Sequence, residues 1–154
     1  MAQISLHSPV GDLTLFAFDD RIVALEWGWV EDHDETPLLA EARRQIDDYF
    51  AGDREDFDLP LDPAGGTAFQ RKVWAVMQAI PFGQVRTYGD VAAELNSSPR
   101  AIGTACGRNP LPILIPCHRI VGTGGRLGGY SGLEGLETKK RLLALEGALT
   151  PGLV

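Results

Sequence analysis

Two adjacent residues in the carboxy-terminal half, Cys117 and His118, have side chains that together can perform nucleophilic chemistry. A thiol becomes a strong nucleophile when it loses its proton, and imidazole has an ordinary pKa that suits proton removal near neutrality. Pro116 favours extended backbone before the cysteine, and adjacent side chains point in different directions in a regular helix or strand. The pair can therefore cooperate only through a turn or a bridging water.

Glu146 is a candidate third member of this constellation. It lies near the end of a predicted helix, where the negative end of the helix dipole disfavours a carboxylate, so it lies either in solvent or against a specific partner. An imidazole held by a third group activates a thiol, and Cys117, His118 and Glu146 can form such a relay. The alternatives are a buried, inert thiol and a histidine whose ring nitrogens bind backbone groups.

The composition is that of an ordinary globular protein. Its 154 residues, of which 44% are hydrophobic, can bury a core. The residues after Met1 do not resemble a secretion signal and no apolar run approaches the length of a membrane span, so we expect a cytoplasmic protein without a membrane partner. Cys106 and Cys117 are too few for a disulfide framework and lack the spacing of zinc ligands, which favours reduced thiols.

Charge is divided unevenly along the chain. The net charge of -7 combines residues 1–66, with 4 Lys and Arg against 16 Asp and Glu, and residues 67–154, with 10 against 5. The first part therefore carries -12 and the second +5. This asymmetry indicates an acidic domain beside a basic domain that can face a polyanion, although a solvated acidic surface is the simpler alternative.

The amino-terminal part is predicted to combine a β-hairpin with one helix. Apolar, β-prone runs at 13–18 and 22–27 flank a polar turn at 19–21, a pattern typical of a hairpin. Apolar residues at helical spacing predict a helix over 38–50, and the acidic stretch after it contains Pro and Gly. We expect a supporting domain over 1–60, a linker over 61–66 and a second domain over 67–154.

The second domain is predicted to be mainly helical, which makes the chain an α+β protein. Thr67 can cap one helix, and Thr87, followed by Asp90 in a capping-box arrangement, can start another. Ser98 and the proline after it predict a helix over 99–107, joined to its predecessor by a short polar turn. Two short helices joined in this way within the basic half indicate a helix-turn-helix, although plain packing produces the same pattern.

The segment after these helices carries the cysteine and then many glycines. The apolar run 113–115 is predicted to be buried and extended, and to deliver Cys117. A glycine-rich loop around Tyr130 and Ser131 lets backbone amides approach a ligand, and it lacks the sequence of a phosphate loop. A last helix is expected over about 136–147. Its polar face is predicted to carry Lys139, Lys140 and Arg141.

Several motifs together resemble a known family. Asn109 and Pro110 precede the run Pro112-Ile113-Leu114-Ile115-Pro116-Cys117-His118-Arg119-Ile120-Val121, and further matches are Ile80-Pro81-Phe82-Gly83 with Thr87-Tyr88, Tyr130-Ser131-Gly132 and Leu142-Leu143-Ala144-Leu145-Glu146-Gly147. These motifs closely resemble those of the O6-alkylguanine-DNA alkyltransferases, also called methylated-DNA–protein-cysteine methyltransferases. The resemblance covers about residues 67–147 strongly and the amino-terminal hairpin and helix loosely.

The resemblance implies a DNA repair reaction that consumes the protein. Cys117 would attack the alkyl carbon on guanine O6, or on thymine O4, and keep the alkyl group as a thioether. His118 would remove the thiol proton through a bridging water, and Glu146 would orient the imidazolium. We expect a monomer that needs no metal or cofactor and acts on double-stranded DNA containing O6-alkylguanine.

The resemblance also assigns roles around the thiol. Tyr88 would donate a hydrogen bond to the departing purine, and Asn109 would tie the recognition helix to the cysteine loop. Ser131 would approach guanine O6, Lys139 would favour the thiolate, and Arg119 would make a structural ion pair. The alkyl pocket would have walls formed by Tyr130 and Pro112.

The helix over 99–107 is implied to lie in the minor groove of DNA, where small residues permit close approach. A base within a duplex cannot present its O6 substituent to a buried thiol, so the nucleotide must rotate out of the stack and Arg100 would fill the vacated space. Relative to the family, the chain is slightly shorter between Tyr88 and Arg100 and slightly longer between Ser131 and Lys139. The expected DNA-binding residues are Arg100, Thr87, Ala101, Gly103 and Thr104.

Two other functions are compatible with parts of this pattern. A non-enzymatic sensor of alkylated DNA would share the DNA-binding helices but needs no cysteine, so the presence of Cys117 favours repair. A hydrolase with a Cys-His pair would need a separate oxyanion site and distant partner residues.

Overall fold

The chain divides into two compact units, Met1–Gly65 and Gly66–Val154. The computed structural model describes residues 1–128 and 135–148. In this part of the chain, the first unit contains an antiparallel sheet and one helix, and the second is mainly helical, so the predicted α+β class is confirmed. No helix within these two ranges is both long and apolar enough to cross a membrane.

The first unit contains strands β1 (Ala2–Leu6), β2 (Leu13–Phe18) and β3 (Arg21–Trp27), followed by helix α1 (Pro37–Phe50). The strands pair in the order β1-β2-β3. Asp19 and Asp20 have φ of 51° and 61°, which is the backbone that a two-residue hairpin turn requires. The predicted hairpin is therefore present, while β1, which is not among the predicted elements, is stabilised by pairing with β2.

Loop segments bind both edges of this sheet. At the β1 edge, the Asp34 amide donates a hydrogen bond to the Gln3 carbonyl at 2.8 Å. At the β3 edge, the Asp62 amide donates to the Ile22 carbonyl at 2.8 Å. Asp62, in the segment predicted as the domain linker, therefore satisfies a backbone group that an edge strand leaves unpaired.

The second unit contains helices α2 (Ala68–Gln78), α3 (Tyr88–Glu94), α4 (Pro99–Gly107) and α5 (Leu136–Leu145), with strands β4 (Arg86–Thr87) and β5 (Ile120–Val121), which pair in parallel. Thr67 and Thr87 each form a capping box, and Ser98 accepts a hydrogen bond from the amide of Ala101. Asn96 turns the chain between α3 and α4 with φ of 55°. The two helices contact each other, as the helix-turn-helix prediction requires.

Two local expectations for the second unit are wrong. Residues 111–115 form turns and not an extended segment, and the Ile115 amide donates to the Leu111 carbonyl at 2.7 Å. Lys139 is fully buried and not on a polar face of α5. Its Nζ donates to the Ile120 carbonyl at 2.7 Å, so a segment distant in sequence covers this side of the helix.

Trp74 lies in the core of the second unit and joins α2 to α4. It is 1% exposed, and its Nε1 donates to the Ala105 carbonyl at 2.9 Å. Gly66 has φ of 85°, and a Cβ at this position would overlap Cη2 of Trp74. Glycine is needed here both for its backbone conformation and for the close approach of the indole ring.

We expect Gly66→Ala to lower the free energy of unfolding by about 1–3 kcal/mol more than Gly65→Ala does. The two glycines have φ of 85° and 73°, so both substitutions introduce backbone strain. A Cβ at Gly65 meets nothing within 4 Å, whereas one at Gly66 overlaps the Trp74 ring. Urea denaturation followed by circular dichroism measures both variants, and equal destabilisation would contradict the packing argument.

Candidate active site

Cys117 opens a buried 3₁₀ turn, Cys117–Arg119. The residue is 4% exposed, and its amide donates to the Ile115 carbonyl at 2.8 Å. A tight turn, and not a regular helix or strand, therefore sets the directions of the Cys117 and His118 side chains. This agrees with the sequence argument that the two residues can cooperate only through a turn or a water.

Asn109 holds the loop before the thiol. Its Nδ2 donates to the Ile115 carbonyl at 2.8 Å, and its Oδ1 accepts from the Leu111 amide at 2.9 Å. Ile113, buried inside this loop, has φ of 74°. A β-branched residue in this conformation costs about 1–3 kcal/mol, and such strain persists only where the surroundings enforce it. Asn109 thus joins the end of α4 to a strained loop that leads to Cys117.

His118 is fully buried, and its Nε2 lies 2.8 Å from Oε2 of Glu146. An ionised carboxylate only accepts hydrogen bonds, so Nε2 carries a proton and Nδ1 of the neutral ring is an acceptor. Among the residues that the structure describes, Nδ1 has no hydrogen-bond partner. Because buried polar atoms are nearly always paired, this nitrogen is a candidate proton acceptor.

Arg119 makes a two-point ion pair with the same carboxylate. Its Nε donates to Oε1 of Glu146 at 2.8 Å, and its Nη2 donates to Oε2 at 3.0 Å. Its Nη1 donates to the Ile80 carbonyl at 2.6 Å, and its Cζ lies 5.9 Å from the centroid of the Phe82 ring. The guanidinium therefore connects the carboxylate to the segment that follows α2.

Glu146 caps the carboxyl end of α5 and is 4% exposed. Burial and the negative end of the helix dipole both disfavour a carboxylate at this position. The hydrogen bonds from Arg119 and His118 offset these effects. Of the two alternatives that the sequence allows for Glu146, a solvent position and a specific partner, the structure has the second.

Burial sets the protonation of the groups around the thiol. It raises the pKa of Cys117 above its ordinary value, whereas the hydrogen bond from Asn109 and the charge of Lys139 act in the opposite direction. Burial also raises the pKa of Cys106 to about 12 and lowers that of Lys139 to about 8. The resting Cys117 is therefore a protonated thiol, which needs a base before it can act as a nucleophile.

The pKa of His118 is lowered from its ordinary value, chiefly because burial penalises the imidazolium. The hydrogen bond to Glu146 and its negative charge oppose this change, while the charges of Arg119 and Lys139 reinforce it. His118 is consequently a neutral imidazole near pH 7. That is the state in which a histidine can act as a general base.

Tyr88, the first residue of α3, lies where several segments of the site meet. Nζ of Lys139 is 5.7 Å from the centroid of its ring. A Cβ at Gly128 would lie 2.8 Å from its hydroxyl oxygen, and a Cβ at Gly103 would lie 4.0 Å from its Cε1. Residues of α4, α5 and the loop that contains Gly128 therefore surround this ring.

The outer face of α4 carries most of the predicted DNA-binding residues. Arg100 and Thr104 are exposed and one turn apart, and the Thr104 hydroxyl donates to the Arg100 carbonyl at 3.1 Å. Ala101 and Gly103 are half-buried beside them, so the face combines small side chains with one arginine. Thr87 is used as the cap of α3, where its hydroxyl accepts from the Asp90 amide.

The predicted pocket wall is described only in part. Pro112 is buried in the turn before Cys117. Tyr130 and Ser131 lie outside the residues that the structure describes. The predicted site residues that are brought together in one buried region are Cys117, His118, Glu146, Asn109 and Lys139, with Tyr88 at its edge.

Two contacts in the site were not predicted from the sequence. An ion pair was expected for Arg119, but its partner, Glu146, was not identified. The signal was present, because a carboxylate predicted at the wrong end of a helix needs a cation, and Arg119 is adjacent to the histidine assigned to that carboxylate. The close approach of Gly128 to Tyr88 has no sequence signal, since seven glycines lie within the same stretch of the chain, at positions 122, 124, 125, 128, 129, 132 and 135.

Both units match sequence models of one family. The model described as "6-O-methylguanine DNA methyltransferase, DNA binding domain" matches residues 68–148, and the model described as "6-O-methylguanine DNA methyltransferase, ribonuclease-like domain" matches residues 1–63. The two matches therefore cover nearly the whole chain.

Curated relatives match over most of their length. A constitutive methylated-DNA–protein-cysteine methyltransferase of Bacillus subtilis is 44% identical, with 91% of this chain and 92% of the relative covered. A methylated-DNA–protein-cysteine methyltransferase of Methanosarcina acetivorans is also 44% identical, with 92% and 96% covered.

Solved structures give the same result. The O6-methylguanine methyltransferase of Mycobacterium tuberculosis superimposes with a TM-score of 0.84 at 34% identity, covering 97% of this chain and 94% of that chain. A structure of the Mycobacterium tuberculosis OGT in complex with DNA superimposes with a TM-score of 0.85 at 36% identity, covering 96% and 94%. From the matches to both units and the identity with these relatives, this chain belongs to the 6-O-methylguanine DNA methyltransferase family.

Proposed function

We propose that this protein repairs DNA by transferring the alkyl group of O6-alkylguanine irreversibly to Cys117, and that O4-alkylthymine is a second substrate. The observation that carries the proposal is the buried thiol followed directly by a neutral imidazole, which is itself held by a carboxylate. The names of the relatives from Bacillus subtilis and Methanosarcina acetivorans, and the DNA complex of the Mycobacterium tuberculosis protein, support the same reaction.

The reaction forms one bond and breaks another. The sulfur of Cys117 attacks the alkyl carbon, the bond between this carbon and guanine O6 breaks with its electrons leaving on the purine, and a thioether remains. Nδ1 of His118 accepts the thiol proton through a bridging water, while Nε2 keeps its hydrogen bond to Glu146. The purine takes up one proton from solvent as it departs, and the imidazolium of His118 releases the thiol proton to solvent, so protons and charge balance.

Other residues of the site act on the departing purine and on the thiol. Tyr88 donates a hydrogen bond to the purine, where charge develops as the bond to carbon breaks. Lys139 places a positive charge near the sulfur and favours the thiolate, and Asn109 positions the loop that carries it. In this proposal Ser131 approaches guanine O6, and the alkyl pocket is lined by Tyr130 and Pro112.

The substrate base has to leave the duplex to reach a thiol that is 4% exposed. We propose that α4 lies in the minor groove, where the small side chains of Ala101 and Gly103 permit close approach. Arg100, exposed at the start of this helix, fills the space that the rotated nucleotide leaves. Thr87 and Thr104 complete the contact with DNA.

The two parts of the chain have different tasks in this proposal. Residues 67–154, with their net positive charge, bind DNA and carry the reaction, and residues 1–60 support them. The protein acts in the cytoplasm as a monomer and needs no metal or cofactor. A sensor that only binds alkylated DNA is not favoured, because it has no use for the relay around Cys117.

Methylated DNA should add the mass of one CH₂ group to Cys117 in a single turnover. Cys117→Ala should abolish the transfer and retain affinity for duplex DNA, because the nucleophile is lost while α4 is unchanged. Cys106→Ala, which removes the other free thiol, should transfer normally. Mass spectrometry of peptides after incubation with O6-methylguanine DNA measures each case. Modification at another residue, or repeated turnover, would contradict the mechanism.

Gly128→Ala should slow methyl transfer by about tenfold or more, because a shift of the order of 1 Å at a reacting group can cost that much. A Cβ at Gly128 would lie 2.8 Å from the Tyr88 hydroxyl and displace the ring. Gly124→Ala is the matched control, since φ is positive at both glycines, 72° and 76°, and a Cβ at Gly124 meets nothing within 4 Å. Single-turnover kinetics would reject the proposed role of Tyr88 if both variants were slowed equally.

Arg100→Ala should slow transfer from duplex DNA much more than transfer from the free base O6-methylguanine, because only the duplex requires a nucleotide to be rotated out. Arg108→Ala is the control, as it removes the same charge from an exposed residue just after the same helix. The loss of DNA affinity that comes from removing one positive charge affects both variants, and added salt reduces it. Equal slowing of the two variants on duplex DNA would show that Arg100 has no special role in extrusion.

A further inference from the structure

Arg119 lies next to the proposed base and binds its partner carboxylate, while being 6% exposed itself. Its hydrogen bonds go to both oxygens of Glu146 and to the Ile80 carbonyl. Replacing a buried ion pair by apolar residues is often neutral for stability or even stabilising. Stability is therefore an insufficient reason for the ion pair as a whole, and an effect on His118 is a further explanation.

The geometry of the ion pair fixes the orientation of the carboxylate. Nε of Arg119 holds Oε1 of Glu146 at 2.8 Å, and Nη2 shares Oε2 with the His118 ring, at 3.0 Å and 2.8 Å. With both oxygens held, the carboxylate cannot rotate away from the imidazole. The guanidinium is fixed in turn by the Ile80 carbonyl at 2.6 Å, just before a tight turn in which the Gln84 amide donates to the Pro81 carbonyl at 3.1 Å.

The charges around the imidazole have opposing effects. Glu146 favours the imidazolium, and the charges of Arg119 and Lys139 oppose it. Cys117, on the same turn, is a protonated thiol, and the segment after α2 contributes the uncharged Ile80 carbonyl and Phe82 ring. A histidine next to an uncompensated buried carboxylate would be protonated more readily, and an imidazolium cannot accept the thiol proton.

We infer that Arg119 is a positioning residue for alkyl transfer: its two-point ion pair orients Glu146 toward His118 and offsets the charge of Glu146, so that the imidazole remains neutral and able to accept the thiol proton. The inference rests on the proposed function, because it assigns His118 the role of base. It goes beyond a structural ion pair, since it makes the reactivity of Cys117 depend on a guanidinium that does not touch the substrate.

The test is the pH dependence of single-turnover methyl transfer. In the unmodified protein, the rate falls as the pH falls through the pKa of His118, which lies below its ordinary value. Arg119→Gln removes the positive charge, so the pKa of His118 rises and this fall in rate should move to higher pH. The variant should therefore lose rate most strongly at acidic pH and recover much of the loss at alkaline pH.

Arg119→Lys provides a second variant in case Arg119→Gln does not fold. An ammonium keeps the charge but makes a less complete pair with a carboxylate, so the fall should move in the same direction by a smaller amount. Arg86→Gln is the matched control, since Arg86 pairs with Glu94 at 2.8 Å at the surface of the same unit. Arg86→Gln should leave the pH at which the transfer rate falls unchanged.

Titration of the His118 ring by NMR, in the absence of DNA, measures the same pKa independently of the reaction. The inference would be overturned if each folded Arg119 variant kept two properties of the unmodified protein: the pH at which the rate falls, and the pKa of His118. A uniform loss of rate or stability would then be the only effect of the substitution. Failure of the unmodified protein to methylate Cys117 would instead contradict the proposed function, and the NMR titration would still test Arg119.

Discussion

The burial of one carboxylate constrains most of the second unit. Glu146 lies out of solvent at the end of a helix whose dipole disfavours it, so it needs positive and hydrogen-bonding partners. Arg119 supplies the charge and His118 supplies a further donor. Because Arg119 also binds the Ile80 carbonyl, this compensation joins the end of α5, the turn that begins at Cys117 and the segment after α2. The hydrogen bonds that offset the burial of Glu146 are thus also the ones that position His118, the proposed base.

Residues from three segments of the second unit meet around Tyr88. Its ring lies near Lys139 of α5, Gly103 of α4 and Gly128 of the loop after the thiol. Two of these neighbours are glycines, so backbone can approach the ring closely. The face of α4 proposed to meet DNA is consequently next to the side chain proposed to act on the base.

The parts of this structure that were predicted from the sequence depend on short-range interactions. Thr67, Thr87 and Ser98 cap their helices through residues three positions away, and the Asp19–Asp20 turn depends on its own backbone. For the site, the chemistry of Cys117 and His118 identifies them as a pair. Glu146 is predicted as their partner because a carboxylate is disfavoured at the end of a helix. The specific reaction required the resemblance to a family.

The parts that were predicted wrongly depend on contacts between distant residues. Lys139 has the sequence position of a surface lysine, but it is buried, with its Nζ bound to the Ile120 carbonyl and close to the Tyr88 ring. The apolar run 113–115 is predicted to be extended, but it lies in a loop of turns that the Asn109 side chain holds.

The low exposure of Cys117 and the raised pKa of its thiol have a consequence for the lifetime of the protein in a cell. Peroxides, disulfides and free electrophiles react with accessible thiolates, and a protonated thiol inside the protein offers them little. A protein that can react once gains from such protection, because any adventitious oxidation would remove a molecule before it met its lesion. The burial of Cys117, which makes a base necessary, therefore also protects the thiol until the protein meets a lesion.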